Sequence, residues 1–506
     1  MERRKERGKH DKENETRNKL PLKLQPVVRL DGPCSMTHSI TLFMLTETLT
    51  LQHQEEEEEE EEEVKIPLSK ESAMVLEEES LVHDVRLSSV GPGRATGSDV
   101  FHNPGGLDLA MKLHYLRVVY FFDSEATGDL TVMKIKDAMF TWFNHYFITC
   151  GRFRRSDSGR PLIKCNDCGA RFIEGRCTKT LQEWLAIKDF SLFKLLASQQ
   201  VIGPELSFSP PVFLQVIKFK CGGISLGLSW AHILGDPLSA SEFINSWGRV
   251  MNNLGLKMIP NIPRSVPAPG KPGPQKDPIS AKRIDPVGDH WIPANNKKMD
   301  TFSFHITNPQ LNYLQAQIWG PSLHQTPGFE SVCAMIWRCV ARVRTKSEPK
   351  TVTVCRSDPY RKDIIGNNQV ISKIEGGSEC CIVETELSVL ARMLEDEGVD
   401  ERKEIEEAIE REHGVSDLFV YGANLTFVDL EKINLYDLQL NGQTPAFVYY
   451  SIQGVGDEGA ILVYPGPQGS IKNGADGKFV TMILPEDEMA KLKSELKMNG
   501  LLLEDD

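Results

Sequence analysis

The stretch PVFLQVIKFKCGGISLGLSWAHILGDPLSASEFINSWGRV, residues 211–250, packs two β-rich runs, a glycine turn, a histidine and a helix start into forty positions. Val212, Leu214, Val216 and Phe219 supply most of one apolar pattern, and Cys221, Gly222 and Gly223 turn the chain into a second strand. That strand runs out at His232. Asp236 and Pro237 then start a helix, with Asp at the N-cap and Pro at the first helical position. Leu238, Phe243, Ile244, Trp247 and Val250 give this helix a buried face. Capping alone accounts for Asp236, with a contribution of about 1 kcal/mol. It does not account for a histidine at the end of a strand, close to Gly235, where rigid sheets commonly carry active-site residues. A lone histidine is more often structural than catalytic, so this pattern by itself leaves both roles open.

Outward from this motif the chain alternates strand and helix signals. Upstream, Val82, Val85 and Leu87 alternate as in a first strand, and LHYLRVVYFF (113–122) is β-rich. LTVMKIKDAMFTWFNHY (130–146) has helical spacing, with Leu130, Met133, Ile135, Met139 and Phe143 as buried candidates. RPLIKCNDCGARFIEG (160–175) reads as a hairpin. Downstream, residues 256–296 are rich in proline, glycine and basic residues without a sustained period, which predicts a crossover linker. MDTFSFHI (299–306) resumes strand character. PGFESVCAMIWRCVARVR (327–344) predicts an amphipathic helix burying Phe329, Val332, Cys333, Ile336, Trp337 and Val340. Strands and helices are expected to alternate from there to the end, with the charged run at 394–414 as a solvated helix or loop. The mixed-charge opening and the nine glutamates Glu55 to Glu63 predict a disordered extension over 1–73, because such a segment buries too little apolar surface to offset chain entropy. Met74 is a candidate alternative start. The expected organisation is therefore an extension (1–73), a first domain (74–255), a linker (256–296) and a second domain (297–506).

Composition narrows the function. A chain of 506 residues, 40% hydrophobic and 25% charged, can bury a large core. A net charge of -13 and a pI near 5.5 argue against nucleic acid as a partner, since phosphate binding needs clustered surplus Lys and Arg. Eleven cysteines, an odd number with no secretory leader pattern before them, predict reduced thiols in a cytoplasmic, cytosol-facing setting. Cys165 and Cys168 form one CxxC, flanked irregularly by Cys150 and Cys177. A zinc site lacks its second paired spacing, and no metal is expected. The adjacent Cys380 and Cys381 read as packing residues. No apolar run reaches the roughly 18 residues of a membrane span, and ITLFMLTETLTL (40–51) is interrupted by Thr46, Glu47 and Thr48. The basic opening is a weak nuclear-targeting signal.

His232 and Asp236 form an HxxxD motif, joined in order by CGR (150–152), IKCN (163–166), FESVCAMIWRC (329–339) and the pair Gly366 and Asn367. From Met74 onward the chain thus resembles the plant BAHD family of acyl-CoA-dependent acyltransferases. The resemblance implies two similar mixed-sheet α/β domains of the chloramphenicol-acetyltransferase kind, joined by a crossover loop, with a channel reaching the histidine from both ends. It also implies direct transfer: His232, as general base, takes the proton of an acceptor hydroxyl or amine and returns it to the CoA sulfur. Asp236 is then a geometric support, with Arg356 its partner by position. Acyl-CoA is the implied co-substrate or ligand, with no permanently bound cofactor.

Two departures narrow the resemblance. The family's DFGWG is replaced by Gln439, Leu440, Asn441, Gly442 and Gln443, and Pro237 stands where a glycine usually follows the aspartate. DLAMKLHYLRVVYFF, SWAHILGD and SIQGVGDEGAILVYP are similar to the Eceriferum and Glossy2 wax branch. That branch implies a protein promoting very-long-chain acyl elongation for cuticular wax. It would act with the condensing enzyme of the elongase at the cytosolic face of the endoplasmic reticulum, and be monomeric apart from that partner. The alternative is a competent O- or N-acyltransferase using His232.

Overall fold

Strands whose residues are buried on both faces organise the computed structural model of this chain, which describes residues 81–257, 260, 277–320, 327–358, 365–376, 381–396, 398–467 and 477–502. The expected 1–73 extension, Met74, Cys380 and most of the proline-rich run in 256–296 lie outside the described residues. All described residues belong to one compact unit with two mixed sheets.

The first sheet takes β1 (Val82–Val90), β2 (Tyr115–Phe122), β3 (Ala170–Cys177), β4 (Val212–Lys218) and β5 (Ile224–Ala231) in the spatial order β1, β3, β4, β5, β2. Every residue of β2 and β5 is buried, including Arg117, Ser225 and Ser229, and the two strands occupy the middle of the fold. The predicted β4–β5 hairpin is present, pairing Val212 with Trp230 and Lys218 with Ile224 around the turn at 221–223. Besides two short helical segments at Ser124–Thr127 and Leu181–Ala186, this half is dressed by α1 (Gly106–Ala110), α2 (Val132–Phe143) and α3 (Pro237–Met251). The ring centroids of Trp142 on α2 and Phe243 on α3 lie 4.1 Å apart, and Trp142 Nε1 donates to Ser246 Oγ at 2.9 Å. Trp230 of β5 meets the same Phe243 at 4.9 Å, which seats α3 on the sheet directly behind His232.

The second sheet takes β6 (Met299–Ile306), β7 (Thr351–Arg356), β8 (Val370–Glu375), β9 (Val399–Asp400) and β10 (Leu425–Asp429). Next in the chain, β11 (Phe447–Gln453) leaves for the first sheet and pairs antiparallel with β2, Tyr449 facing Val119. Finally β12 (Ala460–Pro465) and β13 (Lys478–Pro485) return, giving the order β6, β13, β12, β10, β7, β8, β9. The helices of this half are α4 (Asn308–Trp319), α5 (Gly328–Val343), α6 (Leu387–Asp396), α7 (Arg402–Arg411) and α8 (Glu486–Met498). The six residues predicted for the buried face of α5 are all buried.

Several local expectations need correction. Residues 160–175 are not a hairpin: Pro161–Lys164 pairs with Arg152–Arg155 in a separate three-stranded sheet, while β3 joins the first sheet. The reason is Gly169, whose φ of +84° swings the chain between the two sheets. Val85 and Leu87 are exposed because β1 is an edge strand, and Met133 points to solvent from α2. Strands and helices do not alternate to the end, since β10 to β13 follow one another without an intervening helix. The charged run at 394–414 is not simply solvated. Within it, Ile405 and Ile409 of α7 are fully buried, and Arg160 clasps Glu410 through both carboxylate oxygens at 2.8 and 2.9 Å. The described part of the linker carries Lys282–Arg283, paired with Leu418–Phe419, and a fully buried Trp291.

Candidate functional site

His232 follows β5 immediately, in a single turn of 3-10 helix (His232–Leu234), and its backbone N–H donates to His114 O at 3.0 Å. Gly235 then reverses the chain at φ +155°; a Cβ there would sit 2.7 Å from the Cβ of Ser239. Asp236 caps α3 as the sequence requires: Oδ1 accepts from Ser239 N at 2.9 Å. Its other oxygen, Oδ2, accepts from Asn368 N at 3.0 Å. Both carboxylate oxygens are thus engaged by backbone amides, and burial raises the carboxyl pKa above its ordinary value.

Arg356 is not the partner of Asp236. At the end of β7 it donates to Glu330 Oε1 at 2.6 Å and to Leu394 O at 3.1 Å, and lies over the Phe329 ring at 5.2 Å. Those groups belong to α5 and α6, whereas Asp236 faces the segment 366–369. The arginine that does reach this segment is Arg402, whose Nη1 donates to Asn368 O at 3.1 Å and to Asp358 at 3.2 Å.

The pair Gly366 and Asn367 proves to be the staple of the motif. Gly366 O accepts from Asp236 N at 3.2 Å and from Ser239 Oγ at 3.0 Å. Asn367 Nδ2 donates to His232 O at 2.8 Å and to Asp108 Oδ1 at 3.0 Å. Asp108, on α1, also accepts from Asn367 N at 2.8 Å. The histidine's backbone is therefore held by His114 just before β2, by the Gly235 amide of its own turn, and by Asn367 from the strand entry at 366–369.

The side chain is held as well. His232 Nε2 lies 2.9 Å from Tyr421 Oη, and Tyr421 Oη donates to Gln369 Oε1 at 3.0 Å. Nε2 and the Tyr421 hydroxyl are thus hydrogen-bonded to each other inside the protein, the direction following the imidazole tautomer. Nδ1 is buried without a hydrogen-bond partner of acceptable geometry, its own carbonyl and Asn367 being the polar groups that favour the charged form. Burial dominates and pushes the His232 pKa down to about 4. His114 packs beside both rings, 6.4 Å from His232 and 4.9 Å from Tyr421. Its Nε2 accepts from Val420 N at 3.1 Å and Tyr421 N at 3.3 Å, and burial, then the neighbouring His232, bring its pKa down to about 3. Tyr421, Gln369, Asp108 and Arg402 carry no local motif, and only the contacts reveal them.

The loop that replaces DFGWG still braces this half of the molecule. Asn252 at the end of α3 donates to Gln439 O at 2.8 Å, Asn441 Nδ2 donates to Ala126 O at 3.0 Å, and Leu438 and Leu440 are buried. Of the four cysteines considered for zinc, Cys150, Cys165 and Cys177 are buried and Cys168 is exposed. Among the described residues no three His, Cys, Asp or Glu side chains come together as a metal site, and no helix is long and apolar enough to cross a membrane.

Two sheets linked by β11, which crosses from the second half of the chain into the first sheet, with HxxxD at the exit of β5, define the acyltransferase class. The profile described as the transferase family matches residues 105–499. Protein ECERIFERUM 26 of Arabidopsis thaliana is 41% identical over 426 residues, covering 83% of this chain and 96% of that protein. The chain belongs to the BAHD acyltransferase family, in its Eceriferum-like branch. Among solved structures, vinorine synthase matches with a TM-score of 0.62 at 17% identity, covering 83% of this chain and 98% of its own. TRI101 of F. graminearum, complexed with coenzyme A and deoxynivalenol, matches with a TM-score of 0.61 at 15% identity, covering 80% and 99%. These two likenesses establish the fold.

Proposed function

We propose that this protein promotes elongation of very-long-chain fatty acyl groups for cuticular wax, acting with an elongase condensing enzyme rather than by acyl transfer at His232. The observation that carries this reading is the occupied imidazole. The nitrogen that a general base would offer to an acceptor, Nε2, is occupied by a 2.9 Å hydrogen bond with Tyr421 Oη, and the other nitrogen is buried. A general base needs a free lone pair within reach of the proton it abstracts. The likeness over nearly the full length of an Eceriferum protein supports the same reading. Acyl-CoA, or the acyl chain itself, is the ligand this reading requires, in keeping with the coenzyme A bound by TRI101.

The intact HxxxD favours a second reading, an acyl-CoA-dependent O- or N-acyltransferase in which His232 deprotonates the acceptor and Asp236 supports it. One experiment separates the two. Co-expression with a very-long-chain condensing enzyme is expected to lengthen the acyl products, and His232→Ala is expected to retain that effect. Unchanged chain lengths with the wild type overturn the elongation role. Loss of the effect in His232→Ala, in a protein that remains folded, moves the chemistry back to the histidine.

A further inference from the structure

The turn at 156–160 belongs neither to the HxxxD centre nor to the core. It joins Arg152–Arg155 to Pro161–Lys164 in the small three-stranded sheet, within the sequence RFRRSDSGRP. Two backbone bonds close it, from Ser156 N to Arg160 O and from Gly159 N to Ser156 O, both at 2.9 Å. The strand pair above them is Arg155 and Pro161, and a proline has no N–H to give to the ladder. The end of this hairpin is therefore weakly closed and opens locally at little cost. Ser158 stands exposed at its tip, with its Oγ 2.9 Å from Ser156 Oγ.

Arginines surround this serine. Arg155 and Arg154 precede it by three and four positions. Arg155 Nη1 donates to Gly159 O at 2.8 Å, which lays the guanidinium against the turn itself. Its other edge reaches the described part of the linker: Nε donates to Asp289 Oδ1 at 2.6 Å and Nη2 to Gly288 O at 3.2 Å. On either side of that contact the linker is held by backbone bonds, Ile284 N to Asp417 O at 3.1 Å and Trp291 N to Ile202 O at 2.9 Å. One arginine thus touches both the turn of an exposed serine and the segment that connects the two halves of the chain.

We infer that Ser158 is a phosphorylation site for an arginine-directed serine kinase, and that its phosphate draws Arg155 away from Asp289. In the transfer, Ser158 Oγ attacks the γ-phosphorus of ATP and the bond from that phosphorus to the oxygen bridging it to the β-phosphate breaks. ADP leaves with the bonding electrons, and the hydroxyl proton passes to the carboxylate base of the kinase. Arg155 and Arg154 supply recognition through charge-assisted bonds to carboxylates of the kinase cleft. Once attached, the group places about two negative charges and three acceptor oxygens beside Arg155. The side chains of Arg155 and Asp289 are 34% and 50% exposed, so their ion pair is weakly held, and the phosphate displaces Asp289 and repels it. The site is separate from the HxxxD centre and does not depend on the elongation reading.

The test incubates the full chain with ATP and a calcium-dependent serine kinase, a class that selects arginine three positions before the serine, and maps the product by mass spectrometry. Phosphate on Ser158 is expected, with incorporation falling about tenfold or more in Ser158→Ala and in Arg155→Gln. A peptide spanning 152–163 is treated in parallel. Phosphate on the peptide and none on the folded chain means that the fold keeps the turn shut, and overturns the proposal. Phosphate confined to Ser156 or to other positions, or absent from both samples, overturns it as well. Hydrogen exchange over 284–291 then reads the consequence: it is expected to be about fivefold faster in the phosphorylated chain than in the unmodified one, and similarly faster in unphosphorylated Arg155→Gln. Unchanged exchange in the phosphorylated chain overturns the displacement of Asp289.

Discussion

The hydroxyl of Tyr421 lies 2.9 Å from His232 Nε2 and donates a hydrogen bond to Gln369 Oε1 at 3.0 Å. This chain of three side chains keeps the HxxxD histidine turned to a protein partner, and burial keeps it neutral. Tyr421→Phe removes the hydroxyl partner of Nε2 and is expected to free the imidazole for chemistry. Thiol release from acyl-CoA should rise at least tenfold over wild type, short of the roughly 10² to 10⁴ that a well-placed general base supplies. The gain should vanish in Tyr421→Phe/His232→Ala. Release that is unchanged in the single variant means that Tyr421 does not restrain the histidine.

Gly235 makes the turn between that histidine and its helix. Its φ of +155° suits only glycine, and a Cβ would meet Ser239 Cβ at 2.7 Å and Gly366 N at 3.1 Å. Gly235→Ala is expected to lower stability by about 2 kcal/mol or more through strain and displaced contacts. Urea unfolding checks this, and a loss below about 0.5 kcal/mol shows that the turn relaxes freely.

How far the sequence led can be judged from these same residues. The β4–β5 hairpin, the capped start of α3 and the buried face of α5 were legible because period, turn and cap are local signals. Arg356 was misassigned because order along the chain says nothing of direction: its strand aims it at Glu330 and Asp429, away from Asp236. Tyr421 and Gln369 were invisible because they lie 189 and 137 positions beyond His232 and meet it only through the packing of the two sheets. The transfer of β11 into the first sheet was missed for a related reason, since FVYYSIQ has the composition of any central strand and nothing in it names its partner. The 160–175 segment shows the converse, two genuine strands whose separation was decided by the backbone at Gly169.

The staple at Asn367 gives a prediction about the site's rigidity. Its side-chain nitrogen bridges His232 O and Asp108 Oδ1, so Asn367→Ala leaves a buried carbonyl without that donor and weakens the hold of α1. His232 O keeps the Gly235 amide at 3.1 Å, so a loss of about 1–2 kcal/mol is expected from the two lost hydrogen bonds. Asn367→Asp should be worse than Ala, because it places a second carboxylate against Asp108. Thermal unfolding of the two variants side by side tests the order, and the reverse order rejects this account of the contact.

A buried ion pair between Lys112 and Asp417 has the opposite character. Lys112 Nζ lies 2.7 Å from Asp417 Oδ1, with side chains 3% and 5% exposed, and Asp417 Oδ2 accepts from Val287 N at 2.8 Å. Burial lowers the Lys112 pKa, and Asp417 opposes the shift. Lys112→Met strands the carboxylate and is expected to destabilise by about 3–5 kcal/mol. Lys112→Met/Asp417→Leu should lose far less than the two single variants together, the remaining loss coming from the orphaned Val287 amide. Additive losses in this double-mutant cycle mean that the two charges are not coupled.

The two buried histidines also set the acid limb of stability. An unfolded histidine titrates near 6.5, whereas His232 and His114 in the folded chain titrate at about 4 and about 3. Folded pKa values depressed in this way contribute stability above pH 6.5 that is lost as pH falls, because the unfolded chain takes up the protons first. For His232 alone the loss is about 3 kcal/mol on reaching pH 4. His232→Gln removes this proton uptake while keeping a polar side chain. The gap in unfolding free energy between wild type and variant is therefore expected to narrow by about 1.4 kcal/mol per pH unit between pH 6 and 4. Urea unfolding of both proteins at pH 7, 6, 5 and 4 measures it. Parallel curves over that interval mean that His232 is not buried as a neutral imidazole, and with that the sealed contact to Tyr421 fails as well.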